Sequence, residues 1–245
     1  MTLFVKRYAD PARRQRAHDN HRWLTSLSSA VVIPAIVDAA EDRLVFEAID
    51  GRPATAADLA QLAQAIGRIH ASATSHLATA RIDQPHQLDA MVIPDFITPR
   101  LDKLLRAATR LGLPPDMAEY ALTTAAPSPA GLYKDSNLRN FLITGGEVAV
   151  VDFDDLTLAP HCYDLAKLIV SIVMTHGRLP AAAAQDALDA YHDPIGPPLC
   201  TSDGLRVWAE LNWLLTADHL GRNGYQHPWP ELRPWPDPSI GEADA

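Results

Sequence analysis

The first fifty residues alternate apolar and polar positions in short runs. Residues 3–8 predict a strand, and 31–38 and 44–49 predict two more, the last stopping at Asp50-Gly51. Between the first two, residues 12–27 read as a helix, with Asp10-Pro11 supplying a cap and a first-turn proline. Then the period lengthens. Residues 55–73 place Leu59, Leu62, Ile66 and Ile69 at helical spacing, and 101–111 and 114–124 predict two further helices. Residues 141–144 and 147–151 are two apolar strands joined by Gly145-Gly146, a two-residue hairpin signal. Residues 163–174, 181–191 and 205–219 return to helix. The stretch 227–238 is too rich in proline for helix or central strand and reads as an extended strap laying Trp229 and Trp235 against the body. Strands first and helices later predict an α+β chain, with a small sheet-containing lobe over 1–50 and a larger, mainly helical lobe over 51–245.

Composition narrows the class. At 245 residues and 47% hydrophobic, the chain can bury a sizeable core, which excludes a disordered protein. Apolar runs such as 168–174 fall short of the roughly 18 residues needed to span a bilayer, so no membrane partner is expected. A net charge of −9 argues against a nucleic-acid partner. Residues 1–6 show no basic segment followed by an apolar one, which predicts a cytoplasmic protein. Cys162 and Cys200 are far apart and form no CxxC, so they read as reduced thiols.

The hairpin carries the candidate chemistry. With a two-residue turn, Thr144 faces Glu147, and counting back, Asn140 faces Val151 and Arg139 faces Asp152. Asn140 and Asp152 thus become neighbours at its open end. An amide oxygen beside a carboxylate suits Mg²⁺, a hard cation held by few protein oxygens plus substrate phosphates. Asp135 lies five residues before Asn140, on the loop entering the hairpin, where a carboxylate can take the proton of an attacking hydroxyl.

The stretches Leu132-Tyr133-Lys134-Asp135-Ser136-Asn137-Leu138-Arg139-Asn140, Val150-Val151-Asp152-Phe153-Asp154 and Tyr163-Asp164-Leu165-Ala166 resemble the aminoglycoside phosphotransferase and choline kinase-like family, itself similar to the protein kinases. The resemblance implies a bilobal kinase-like fold, Asp135 as catalytic base, Asn140 and Asp152 as Mg²⁺ ligands, and Asp164 as a brace for the catalytic loop. Lys6 resembles the family's third-strand lysine, which holds the nucleotide phosphates. Phe46-Glu47-Ala48-Ile49-Asp50-Gly51 resembles the hinge, so the backbone around Glu47 and Ile49 would meet the base of ATP or GTP. Gly67-Arg68-Ile69-His70-Ala71 resembles the helix after it. The implied reaction moves the γ-phosphoryl of ATP or GTP to a hydroxyl of an aminoglycoside, aminocyclitol, sugar, nucleoside or amino-alcohol. The acidic balance is compatible with a cationic acceptor.

Three features depart from the family pattern. The chain begins at the would-be third strand. No glutamate lies between Lys6 and Glu41, which leaves Asp19 as the partner for Lys6. Tyr133-Lys134 replaces His-Gly, setting a cation beside the base that could lower its pKa or bind phosphate. The alternative is therefore a catalytically weak or inactive binding protein lacking the phosphate-covering loop. No DFG, APE or activation segment separates Asp152 from Asp164, so a protein kinase is not expected.

Other positions have plain readings. Asp154 and Asp155 read as turn caps, and His70 and His161 as packing residues. Asp203, Glu210 and Asp218 read as solvated, although the family builds its acceptor pocket on such late helices. Arg13, Arg14 and Arg16 read as a solvated face able to meet phosphates.

Overall fold

The computed structural model describes residues 2–89, 91–112, 114, 116, 119, 120, 122, 130–180 and 182–235. Its N-terminal part holds β1 (Leu3–Arg7), α1 (Pro11–Ser26), β2 (Ile36–Ala40) and β3 (Arg43–Glu47), in an antiparallel sheet ordered β1-β3-β2. The Asp10 side chain caps α1 by accepting the Ala12 N–H at 2.8 Å, and Pro11 fills the first turn. β2 starts later than the sequence pattern suggests. Pro34 has no N–H for a ladder, and its carbonyl is taken by His21 Nε2 at 2.7 Å. Tyr8, Ala17, Leu44 and Phe46 form a small core with Ile36 against it, while Leu3, Phe4 and Val5 of β1 stay exposed.

The body contains β4 (Arg52–Pro53), α2 (Leu59–Ala73), β5 (His86–Gln87), β6 (Val92–Ile93), α3 (Thr98–Arg110), β7 (Ala130–Tyr133), β8 (Phe141–Thr144), β9 (Glu147–Val150), β10 (Thr157–Pro160), α4 (Tyr163–His176), α5 (Ala183–His192), α6 (Ser202–Thr216) and α7 (Trp229–Leu232). Leu59, Leu62, Ile66 and Ile69 are all buried, as their spacing requires. The helix expected over 114–124 lies largely outside the described residues.

The hairpin register agrees with the count from its turn. Phe141 pairs with Val150 and Thr144 with Glu147, and Gly145 and Gly146 take φ of 56° and 89°, the left-handed pair that a two-residue turn needs. β7 pairs antiparallel with β10, a ribbon that the pattern of residues does not announce. α4 is buried from Tyr163 to Met174 and forms the spine of the body. α2 packs so closely on α5 that a Cβ on Gly67 would approach the Tyr191 carbonyl oxygen to 2.2 Å. The Tyr191 hydroxyl joins three segments through His70 Nδ1 (2.8 Å), His161 Nδ1 (3.1 Å) and the Cys162 N–H (3.2 Å).

The tail departs from the expected extended strap. It turns into α7 at Trp229, because prolines at a helix start need no N–H partner. Trp229 is fully buried, and Trp235 packs edge-on at 5.4 Å. Among the described residues no helix is long and apolar enough to cross a membrane.

Candidate active site

The loop 134–140 joins β7 to β8. Asp135 adopts φ of 65°, a left-handed conformation that aspartate tolerates at some cost. The surroundings hold it there. Asp164, in the first turn of α4 and 1% exposed, accepts the N–H groups on both sides of Asp135, from Lys134 at 3.3 Å and Ser136 at 3.2 Å. The Asp135 carbonyl accepts from the Asn137 N–H at 2.7 Å and from Asn140 Nδ2 at 2.8 Å. Its Oδ1 accepts from the Tyr133 hydroxyl at 3.0 Å and lies 3.9 Å from Lys167 Nζ. Oδ2 has no protein partner among the described residues. Burial, and then the charge of Asp135, push the Tyr133 phenol well above its ordinary pKa, so Tyr133 remains a donor.

On the other side of this loop, Asn140 and Asp152 share a cavity of about 470 Å³ with Lys6, Glu47, Ile49 and Asp154. The Val151 N–H donates to the Asn140 carbonyl at 3.0 Å, which continues the hairpin ladder by the expected pair. Lys6 Nζ lies 2.7 Å from both Asp152 Oδ1 and Asp154 Oδ1. Burial would raise the Asp152 pKa, but the Lys6 ammonium, with Lys134 behind it, holds it below the ordinary value. The apolar walls come from Phe4, Phe46, Leu142 and Phe153, and the Glu47 N–H is bonded to the Ala35 carbonyl at 2.9 Å.

Asp19 does not meet Lys6. It bonds Gln15 at 2.9 Å and His18 at 3.3 Å on its own helix. One residue on, about 100° around the helix, Asn20 is buried and donates to the Phe153 carbonyl at 2.9 Å. An amide thus ties α1 to the Asp152 segment where an ion pair was expected. Asp154 is an anchor and not a turn cap: Tyr8 donates to it at 3.0 Å, and Arg13 lies 3.3 Å away. The sequence carried a signal for this. Lys6 and Tyr8 stand two apart in the predicted strand 3–8, and although β1 ends at Arg7 both side chains reach the same carboxylate.

Lys134 lines neither the Asp152 cavity nor the pocket around Asp135. It is 4% exposed, donates to the Val151 carbonyl at 3.0 Å and lies over the rings of Phe141 and Phe153. Burial pulls its pKa down, although Asp164 opposes this most among the neighbours.

A second cavity, of about 440 Å³, opens on the Asp135 side, with Arg139 bordering both. Tyr133, Arg100 and Lys167, which sequence reasoning missed, line it. Asp203, Glu210 and Asp218 do not. Glu210 instead binds the tail through Arg233 at 2.7 Å and Trp229 at 2.9 Å.

Asp135 on one cavity and Asn140 with Asp152 on the other, joined by one loop and hairpin, sit in a kinase-like α+β protein with a bilobal fold. The chain belongs to the phosphotransferase enzyme family APH, whose model matches residues 1–200. Among solved structures, it is similar to macrolide 2'-phosphotransferase MphH from Brachybacterium faecium (17% identity, 90% of this chain and 80% of that one, TM-score 0.58). It also resembles amicoumacin kinase hAmiN, solved with AMP-PNP, Ca²⁺ and Ami (16%, 87% and 72%, 0.58). A third likeness is aminoglycoside phosphotransferase APH(3'')-Id from Streptomyces rimosus, solved with ADP and streptomycin (19%, 87% and 87%, 0.53). No curated protein sequence matches the chain.

Proposed function

We propose that this protein transfers the γ-phosphoryl group of ATP or GTP to a hydroxyl of a small molecule. The supporting observation is the division of the site. Asn140 and Asp152 face one cavity and Asp135 the other, with loop 134–140 between them. In this reading residues 1–50 form a donor-side lobe and 51–245 a body that carries the acceptor side.

The nucleotide base lies between the apolar walls near Glu47 and Ile49. Lys6 leaves its ion pairs to neutralise phosphate charge. The residues present suit Mg²⁺. Asn140 Nδ2 is committed to the Asp135 carbonyl, which leaves its oxygen as a ligand beside the Asp152 carboxylate. When bound, the ion would draw off charge developing on the phosphate oxygens. Asp135 Oδ2 accepts the acceptor's hydroxyl proton while Tyr133 fixes Oδ1. The hydroxyl oxygen bonds the γ-phosphorus as the bond to the β–γ bridging oxygen breaks and ADP or GDP leaves. Positioning and charge stabilisation supply most of the rate.

Among acceptors, aminoglycosides, aminocyclitols, sugars, nucleosides and amino-alcohols share the required hydroxyl. A cytoplasmic setting would supply the nucleotide. Calorimetry with Mg·ATP and Mg·GTP, on the native chain and on Asp152→Ala, tests the reading. Metal-dependent binding that the substitution abolishes is expected. If neither nucleotide binds at about millimolar concentration, the reading fails and the inactive binding protein takes its place.

A further inference from the structure

We infer, building on the phosphotransfer reading, that the acceptor is a hydroxylated anion, bearing a carboxylate or a phosphate group, and not an amine. Among the described residues, the cavity beside Asp135 is lined by the cations Arg100, Lys103, Arg139 and Lys167, against the carboxylates of Asp135 and Asp155. Two of these cations are built into the body.

Arg100 is 6% exposed. Its guanidinium donates to the Tyr163 hydroxyl, the Phe96 carbonyl and the Thr157 hydroxyl at 3.2, 2.9 and 3.0 Å. The rings of Phe96, Tyr133 and Tyr163 surround it at 4.5, 4.8 and 5.0 Å. Every one of these partners is neutral. Lys167, 8% exposed, donates to the Thr216 hydroxyl at 3.1 Å, and its one ion pair among the described residues is the 3.9 Å approach to Asp135.

Desolvated cations without a close counter-ion are costly, and a ligand anion relieves that cost. A fixed guanidinium also offers fork geometry that suits a carboxylate or a phosphate. Asp135 and Asp155 are outnumbered by the four cations on the cavity wall, and the late-helix acids Asp203, Glu210 and Asp218 lie outside it. An ammonium here would meet like charge on several sides. The net charge of −9 is spread over the whole chain, whereas the charge lining this cavity has the opposite sign.

Four six-carbon polyhydroxy probes test the inference by calorimetry without nucleotide: gluconate, glucose 6-phosphate, sorbitol and glucamine. At least one of the two anions is expected to bind about tenfold tighter than sorbitol, with glucamine weakest. Lys167→Gln should cut the anion preference about fivefold. Lys103→Gln, at an exposed position where folding is not at stake, should cut it too. Glucamine binding as tightly as the anions, or neither anion binding at about 50 mM, overturns the inference. Loss of nucleotide binding with the anion preference retained overturns only the phosphotransfer reading.

Discussion

The sheet lobe keeps a small core of its own, Tyr8, Ala17, Leu44 and Phe46, while the end of α1 joins the large core of the body through Leu24 and Leu27. Lys6, Tyr8 and Arg13 reach Asp154, and Asn20 reaches the Phe153 carbonyl. The body holds itself together by burial along α4 and by neutral hydrogen bonds around Tyr191. Regions with few buried apolar contacts open at lower free energy than packed cores. The Lys6 wall of the Asp152 cavity, backed by the smaller core, is therefore expected to open before the packed wall beside Asp135.

The largest expected effect separates the two walls by chemistry. Asp135→Asn should lower kcat by about 10²–10⁴-fold, the range for a lost general base, with Mg·ATP affinity unchanged in calorimetry. A parallel loss of nucleotide affinity would show that the walls are not independent.

Acid should weaken the body through a buried histidine. Burial, reinforced by His70 and His192, lowers the His161 pKa from 6.5 to about 3. The unfolded chain then binds a proton that the fold excludes. Stability is fully present above pH 6.5 and falls as the pH drops toward about 3. His161→Phe should flatten that limb of a plot of unfolding free energy against pH, and an unchanged slope would count against the assignment.

A smaller effect comes from Tyr191→Phe. Removing a hydroxyl that serves His70, His161 and the Cys162 N–H should cost about 1–3 kcal/mol in urea unfolding and leave nucleotide affinity untouched. The smallest belongs to Lys134→Met. Trading a buried ammonium on the Val151 carbonyl for a thioether of similar length should change stability by about 1 kcal/mol or less. A larger loss would mean that its charge matters to Asp152.

The local parts of this fold were legible in the sequence. Asp10-Pro11 opened α1, the apolar period gave α2, and the two glycines set the hairpin register that brings Asn140 and Asp152 to one cavity. Non-local features were not. The β7–β10 ribbon joins strands of four residues across the hairpin, with no alternation to mark them. The neighbouring residues Asp19 and Asn20 differ by about 100° of helix rotation, and only packing decides which faces the Asp152 segment. Arg100 lies on the charged α3 and Lys167 on the apolar α4, and nothing in their spacing shows that both border the cavity of Asp135. Glu147, Asp203 and the other surface acids dominate the charge count, so composition pointed away from a cationic pocket.

The Asn140 amide is shared between the two walls: its NH₂ group holds the Asp135 carbonyl, while the residue lines the Asp152 cavity. Whatever occupies one cavity therefore pulls on the backbone that aims the base into the other. Linkage makes such coupling reciprocal. The factor by which bound nucleotide changes acceptor affinity must equal the factor by which bound acceptor changes nucleotide affinity. On the proposed function, the Asn140 side chain is one route by which either ligand would feel the other.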